Sequence, residues 1–338
     1  MRERWPPGRV SIALIATSFL LAGCGTSPTP PTRIVSANPV RSAADLTCSL
    51  PVVTPTRIGF IDFPSGRFRQ DAKAPTGQFG LAYSAGAHRW VTTEYTFGFQ
   101  LLSPDGTEIA QVNGGPIYSG PNGPSGQGFT DVYLTNVTTN KMRHIGRVSG
   151  RARVIAFRPD GLYLTNGLVL RMDPATGNTV ELGPKGSAVA ANQGLWFWVT
   201  STAAWYSLIA GPNQGDGNPV LSMSLADGSV TTWYTAPANR SVSILGFVAP
   251  DEPLVVEYNT EPFDRMTGVA FMLLAAPGVA HTLSFDPSMA AWGVTDTMGV
   301  WLDSPGHVWL YDKAGLISMA DVTGSLGSDS PGVAGPCM

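Results

Sequence analysis

Two successive β-hairpins are encoded by Val154-Ile-Ala-Phe-Arg-Pro-Asp-Gly-Leu-Tyr-Leu-Thr165 and the following Leu168-Val-Leu-Arg-Met-Asp-Pro-Ala-Thr-Gly-Asn-Thr-Val-Glu-Leu182. Short apolar runs flank two turns, Asp160-Gly161 and Thr176-Gly177, where glycine adopts a positive φ at little cost. The pattern therefore predicts four short antiparallel strands in about 30 residues.

The same plan of two hairpins recurs along the chain and predicts six units of about 44 residues each. The remaining paired turns are Ser65-Gly66 with Ala85-Gly86, Asp105-Gly106 with Thr139-Asn140, Gln193-Gly194 with Asp227-Gly228, Pro250-Asp251 with Pro277-Gly278, and Thr297-Met298 with Ala314-Gly315. Four-stranded repeats of roughly 40–45 residues are typical of propeller blades. The sequence thus predicts an all-β, six-bladed β-propeller.

Two other architectures remain open at this stage. A seven-bladed ring results if residues 48–56 and the C-terminal tail form a further partial blade. A β-sandwich with irregular extensions is the second alternative, but it does not explain the repeat. The run Leu195-Trp-Phe-Trp-Val199 favours the propeller, because a strand packed on both faces loses its polar alternation.

Several of these segments resemble known propeller repeats. Leu102-Ser-Pro-Asp-Gly-Thr-Glu-Ile-Ala110 and Phe157-Arg-Pro-Asp-Gly161 look like the turn of TolB-like propellers. Cys48-Ser-Leu-Pro-Val52 and Gly59-Phe-Ile-Asp-Phe-Pro-Ser-Gly66 are similar to bacterial propeller lipoproteins. The resemblance implies a propeller fold and a cell-envelope setting, and it carries over no catalytic residue.

The N-terminus predicts export and lipidation. A basic start precedes an apolar run, Val10–Leu21, that is shorter than the roughly 20 residues needed to span a bilayer. Leu21-Ala-Gly-Cys24 resembles the lipobox of bacterial lipoproteins, in which the cysteine is acylated. We therefore expect a signal peptide at 1–23, a lipid on Cys24, and an extracytoplasmic protein anchored to a bacterial membrane. An ordinary secretory signal is the alternative.

Residues 24–47 are rich in Pro, Ser and Thr and predict a flexible tether, which leaves 48–338 as the propeller domain. Without residues 1–23 the chain has 18 basic and 23 acidic residues, a net charge of −5. That balance argues against nucleic acid as a partner, because nucleic-acid binding calls for a basic surface.

Besides Cys24, the chain has two cysteines, Cys48 and Cys337, one near each end of the predicted domain. An even pair in an oxidising compartment indicates a disulfide, with two free thiols as the alternative. Because the first and last blades of a propeller meet, this bridge would lock the ring closed.

Long links between second and third strands predict the binding face. They span Asn113–Gly128, Ser201–Pro219 and Asn259–Gly268, and long loops on a rigid scaffold often carry binding residues. The candidate residues on this face are Tyr118, Trp205, Tyr206, Asp216, Glu261, Phe263, Asp264 and Arg265. The alternative is that the aromatic residues only fix the loops to the blades.

These features predict a binding or scaffolding module for a protein or glycan, with membrane contact through the lipid and no cofactor. The alternative is an envelope enzyme for a carbohydrate or lactone, with paired carboxylates from Glu261, Asp264 and Asp216. The four histidines are scattered without ligand spacing, and Asn213–Asn218 is interpreted as a glycine-rich turn, so no metal site is predicted.

Overall fold

The computed structural model describes residues 33–34, 46–75, 80–93, 98–113, 119–120, 123–124, 128–184, 196–207, 218–259, 270–283, 293–312, 314–326 and 331–338. All of them belong to one compact unit, Pro31–Met338. None of its described helices is long and apolar enough to cross a membrane.

The first half of the chain forms short strands and one 3₁₀ turn, Gly98–Leu101. The strands are β1 Arg33–Ile34, β2 Ser49–Val53, β3 Ile58–Asp62, β4 Arg67–Gln70, β5 Leu81–Ser84, β6 Arg89–Thr92, β7 Glu108–Asn113, β8 Ser119–Gly120, β9 Gly123–Pro124, β10 Phe129–Asn136, β11 Met142–Ser149, β12 Arg153–Arg158, β13 Gly161–Thr165, β14 Val169–Met172 and β15 Thr179–Gly183.

The second half continues the pattern and adds one helical turn, α1 Thr323–Leu326. Its strands are β16 Trp196–Val199, β17 Ala203–Ser207, β18 Pro219–Ser224, β19 Val230–Thr235, β20 Arg240–Ala249, β21 Glu252–Asn259, β22 Ala270–Ala276, β23 Val279–Leu283, β24 Gly293–Thr295, β25 Val300–Ser304, β26 His307–Asp312, β27 Gly315–Asp321 and β28 Gly332–Val333.

Consecutive strands pair antiparallel, so most sheets are simple meanders. β12–β15, β16–β19 and β24–β27 are four-stranded, and β20–β23 gains β1 at its outer edge, parallel to β23. β7, β10 and β11 form a three-stranded sheet, β5 and β6 a hairpin, and β28-β2-β3-β4 a sheet that joins the two ends of the chain. β8 and β9 form a further short pair.

The sheets pack face to face in chain order and close into a ring. One apolar cluster joins β16–β19 to β20–β23, for example through Trp205 and Met272, and another joins β20–β23 to β24–β27. A third places Trp301 of β25 against Leu50 and Ile61 of the closing sheet. The fold is therefore a β-propeller, as predicted.

The chain ends meet where the ring closes. Val52 pairs with Val333, and the Ser49 N–H donates to the Met338 carbonyl at 2.9 Å. Cys48 and Cys337, 289 residues apart in sequence, form a disulfide with their Cα atoms 5.6 Å apart. The predicted disulfide is confirmed.

The turns of the deciding stretch also follow the prediction. Gly161 has a φ of 144° and Gly177 a φ of 73°, values that favour glycine. The first predicted unit differs, because its turn at Ser65-Gly66 joins β3 to β4 whereas Ala85-Gly86 joins β5 to β6 in another sheet. Residues 49–53 and the C-terminal tail complete the sheet of β3 and β4, and the number of blades, six or seven, stays a prediction.

Strand alternation gives the propeller two distinct ends. Turns from the first to the second and from the third to the fourth strand of each sheet, such as Asp160-Gly161, lie at one end, which we call the turn end. Links from second to third strand, and from sheet to sheet, lie at the other end, which we call the link end. The predicted binding face consists of links from second to third strand, so the prediction assigns it to the link end.

Candidate binding cavity at the turn end

A cavity of about 670 Å³ opens at the turn end of the propeller. Its walls are the last residues of the first strands of four sheets (β12, β16, β20 and β24), the turns that follow them, and Gln100 of the 3₁₀ turn. The lining consists of Gln100, Ala156, Phe157, Arg158, Trp198, Val199, Thr200, Ser201, Phe247, Val248, Ala249, Pro250, Thr295, Asp296 and Thr297. The volume falls within the range of sites for small organic ligands.

The four strands stand at the edges of their sheets, so their free edges face the channel. β20 and β24 approach each other closely, because a Cβ at Gly293 would lie only 2.6 Å from the Leu245 carbonyl oxygen. A hydrogen bond from the Phe247 N–H to Thr295 Oγ1, 2.9 Å long, joins the two strands beside the cavity. These contacts fix the wall in place.

The wall is mainly apolar. Trp198 and Phe247 meet edge to face with their ring centroids 5.8 Å apart, and Trp205 lies behind them, 5.3 Å from Phe247. The rings are largely buried, whereas Val199 and Val248 are half-buried at the cavity surface. Ser201 and Pro250 are exposed at the rim. The site combines a rigid aromatic wall with an opening to solvent.

Arg158 is the cationic residue of the lining. Its Nη1 donates to the Val199 carbonyl across 3.4 Å, and its Nε lies 3.4 Å from Oδ1 of Asp160. The Nε is buried and has no hydrogen-bond partner within the described part of the chain. The other oxygen of Asp160 accepts the Tyr163 hydroxyl at 2.6 Å. Arg158 is therefore weakly partnered.

Asp296 is the acidic residue of the lining, and its two oxygens accept three N–H groups. Oδ1 accepts the Met298 N–H at 2.7 Å, while Oδ2 accepts the Trp301 indole at 2.7 Å and the Cys337 N–H at 3.0 Å. Asp296 thus joins the cavity wall to the disulfide that closes the ring.

The link end carries a different group of charges. Glu257, which is 3 % exposed, accepts hydrogen bonds from the Tyr234 hydroxyl and from Arg240 Nη1. Burial, followed by the bond to Glu257, raises the pKa of Tyr234. Asn218 donates to Ser241 Oγ beside this group, at 3.1 Å. The cluster joins β19 to the neighbouring sheet and has a structural role.

Two residues of the predicted binding face lie in the core of the protein. Trp205 and Tyr206 were expected in an exposed link, but they lie within β17 and are 0 % and 4 % exposed. That expectation was wrong, because both rings pack against neighbouring strands as core residues, with burial also raising the pKa of Tyr206.

The other predicted binding residues, Tyr118, Asp216, Glu261, Phe263, Asp264 and Arg265, lie outside the described residues, as does the predicted lipidation site Cys24. Within the described ranges no group of three or more His, Cys, Asp or Glu side chains could hold a metal ion.

The residues that line the cavity were missed because they occupy short strands and tight turns. Phe157-Arg158 and Trp198-Val199 end the first strands of their units, and Phe247-Val248 precedes Ala249, the last residue of β20. That recurrent position is the signal that could have identified them. In a propeller, the ends of the first strands converge on one channel mouth.

Comparison with known proteins adds only structural likeness. No family model matches the sequence, and no curated protein matches it either. An oligogalacturonate lyase structure with manganese aligns with a TM-score of 0.41 and 9 % identity, over 78 % of this chain and 70 % of the other. Dipeptidyl peptidase 4 of Porphyromonas gingivalis gives 0.39 and 13 %, over 82 % of this chain and 46 % of the other.

An acylaminoacyl peptidase structure in complex with Z-Gly-Gly-Phe-chloromethyl ketone aligns with a TM-score of 0.38 and 11 % identity, over 70 % of this chain and 40 % of the other. The chain spans less than half the length of both peptidases. The fold assignment rests on the sheets and their closure, and these likenesses transfer no activity.

Proposed function

We propose that this protein is a lipid-anchored β-propeller of the bacterial cell envelope that binds a small ligand in the turn-end cavity. The observation that carries the binding role is the cavity itself, about 670 Å³ in volume and walled by Trp198, Phe247 and the ends of four first strands. Preformed, mainly apolar cavities with a few polar groups are typical ligand sites.

The envelope location rests on the sequence. The lipobox-like Leu21-Ala-Gly-Cys24 and the TolB-like turns support a lipoprotein, and the disulfide suits an oxidising compartment. Changing Cys24→Ala should abolish incorporation of radiolabelled palmitate and release the protein from the membrane fraction. Unchanged labelling would contradict the anchor.

The binding role is tested by filling the cavity. Ala249 is half-buried at the end of β20 and lines the cavity, so Ala249→Trp places an indole inside it. Saturation-transfer NMR with a fragment library should find ligands of the full chain in detergent that the variant no longer binds. An absence of ligands, or ligands that bind the variant equally, would overturn the binding role. Thermal unfolding of both proteins controls for folding.

A further inference from the structure

We infer that the turn-end cavity recognises a small organic anion: a carboxylate attached to an apolar, aromatic body. This inference rests on the proposed function, because it names the ligand class of the same cavity. Its basis is the placement of one weakly partnered guanidinium, that of Arg158, beside an aromatic wall.

Arg158 has longer contacts with its partners than Arg69 and Arg147 have. Arg69 holds Asp62 through two hydrogen bonds of 2.8 and 3.0 Å, and Arg147 holds Asp131 in the same way at 2.8 and 3.2 Å. Both contacts of Arg158 are 3.4 Å long. A guanidinium offers five donors in a planar fork. The Nε of Arg158 is buried and Nη1 makes one contact, so a carboxylate would bind the other Nη hydrogens.

Three other polar residues of the wall are engaged within the protein, and the remaining three, Gln100, Ser201 and Thr297, are uncharged. Asp296 accepts three N–H groups, and Thr295 Oγ1 accepts the Phe247 N–H. Thr200 Oγ1 contacts both the N–H and the carbonyl of Ala203, each at 3.2 Å. Arg158 is therefore the residue of the wall that would bind the negative charge of a ligand.

The apolar lining determines the rest of the ligand. Phe157, Val199 and Val248 are half-buried and offer apolar surface, whereas Trp198 and Phe247, 9 % and 7 % exposed, add only a little aromatic surface. Carboxylates bind arginine in a bidentate manner, and the bond strengthens where apolar walls exclude water. An aromatic carboxylate satisfies both features at once, with its ring against the wall and its oxygens on Arg158.

Two matched probes test the inference on the full chain in detergent: 2-naphthylacetate and its neutral amide, 2-naphthylacetamide. Calorimetric titrations with a detergent-only blank should show the acid binding about tenfold more tightly than the amide. Arg158→Gln should weaken the acid about tenfold and leave the amide unchanged. Arg158→Lys keeps the charge without the fork and should lie between the two. Arg67, exposed on β4, supplies the control Arg67→Gln, which should alter neither affinity.

The outcomes separate this inference from the proposed function. If acid and amide bind equally and Ala249→Trp abolishes both, the anion class is overturned while the cavity remains the binding site. If Ala249→Trp leaves both probes bound, the inference and the proposed site fail together. If the wild-type chain binds neither probe, the inference is overturned and the fragment screen alone decides the proposed function. Unchanged amide binding by Arg158→Gln also shows that the variant is folded.

Discussion

The two ends of the propeller place an arginine in opposite situations. At the link end, Arg240 and Tyr234 share the buried carboxylate of Glu257. At the turn end, Arg158 stands beside a cavity with two long contacts. A buried carboxylate that receives two donors satisfies them and joins two sheets, whereas a guanidinium with spare donors is available to a ligand. The two arginines therefore differ mainly in their partners: Arg240 has a structural ion pair, whereas Arg158 keeps donors for the ligand that we propose.

We expect the largest effect on stability from removing the disulfide that closes the ring. Its Cys337 N–H donates to Asp296 of the cavity wall, so its removal also tests whether the turn end depends on it. The double change Cys48→Ser and Cys337→Ser should lower the free energy of unfolding by about 4 kcal/mol, since the bridge encloses most of the chain. At 25 °C the cavity should still bind its ligands. Denaturant unfolding and NMR titration measure the two effects. Lost binding in a folded double variant would show that the cavity depends on the disulfide.

Removing the shared carboxylate tests the link end. Glu257→Ala leaves the Tyr234 hydroxyl and Arg240 without their acceptor, so we expect a loss of about 2–3 kcal/mol. Arg158→Gln breaks only two long contacts and should cost less than about 1 kcal/mol. Chemical denaturation of both variants provides the comparison. Equal losses would contradict the distinction between the two arginines.

A second carboxyl near the link end, that of Asp303, should make the stability of the protein depend on pH. Asp303 lies on the same face of β25 as Trp301, and burial raises its pKa to about 7. Since the folded state holds this proton more tightly than the unfolded one, the contribution of Asp303 to stability falls as pH rises from about 4 to about 7. Asp303→Asn should remove that fall, so the variant should gain stability relative to the wild type as pH rises from about 4 to about 8. A variant with the wild-type pH profile would contradict the assignment.

Most of the turns were predictable because they depend on local chemistry. The predicted turn at Gln193-Gly194 precedes β16 and lies outside the described residues, and the hairpin of β16 and β17 turns at residues 200–202 instead. Gly161 and Gly177 adopt the positive φ that their turns require, and a pair of cysteines at the domain ends suffices to suggest the closing bridge. The first repeat was grouped incorrectly because its turns at Gly66 and Gly86 are alike locally. They lie in different sheets because β3 and β4 pair with β2 and β28, whereas β5 and β6 form a separate hairpin.

The candidate site was less predictable than the fold. Trp205 and Tyr206 were assigned to the link Ser201–Pro219 from the sequence. They lie in β17 instead, and packing between sheets buries them. Arg158 and Phe247 are 89 positions apart, so their convergence follows from ring closure rather than from a local motif. Sequence patterns identify strands, whereas a cavity shared by four sheets arises only when those sheets are assembled.

The most direct test of binding in the turn-end cavity is to measure ligand binding after a change at each end of the propeller. Ala249→Trp fills the turn end, and a short Gly-Ser turn in place of residues 208–217 shortens a link at the opposite end. The fragment library is measured on both variants and on the wild-type chain. We expect Ala249→Trp to lose the bound fragments and the variant with the shortened link to retain them. Fragments lost only with the shortened link would contradict this expectation and locate binding at the link end.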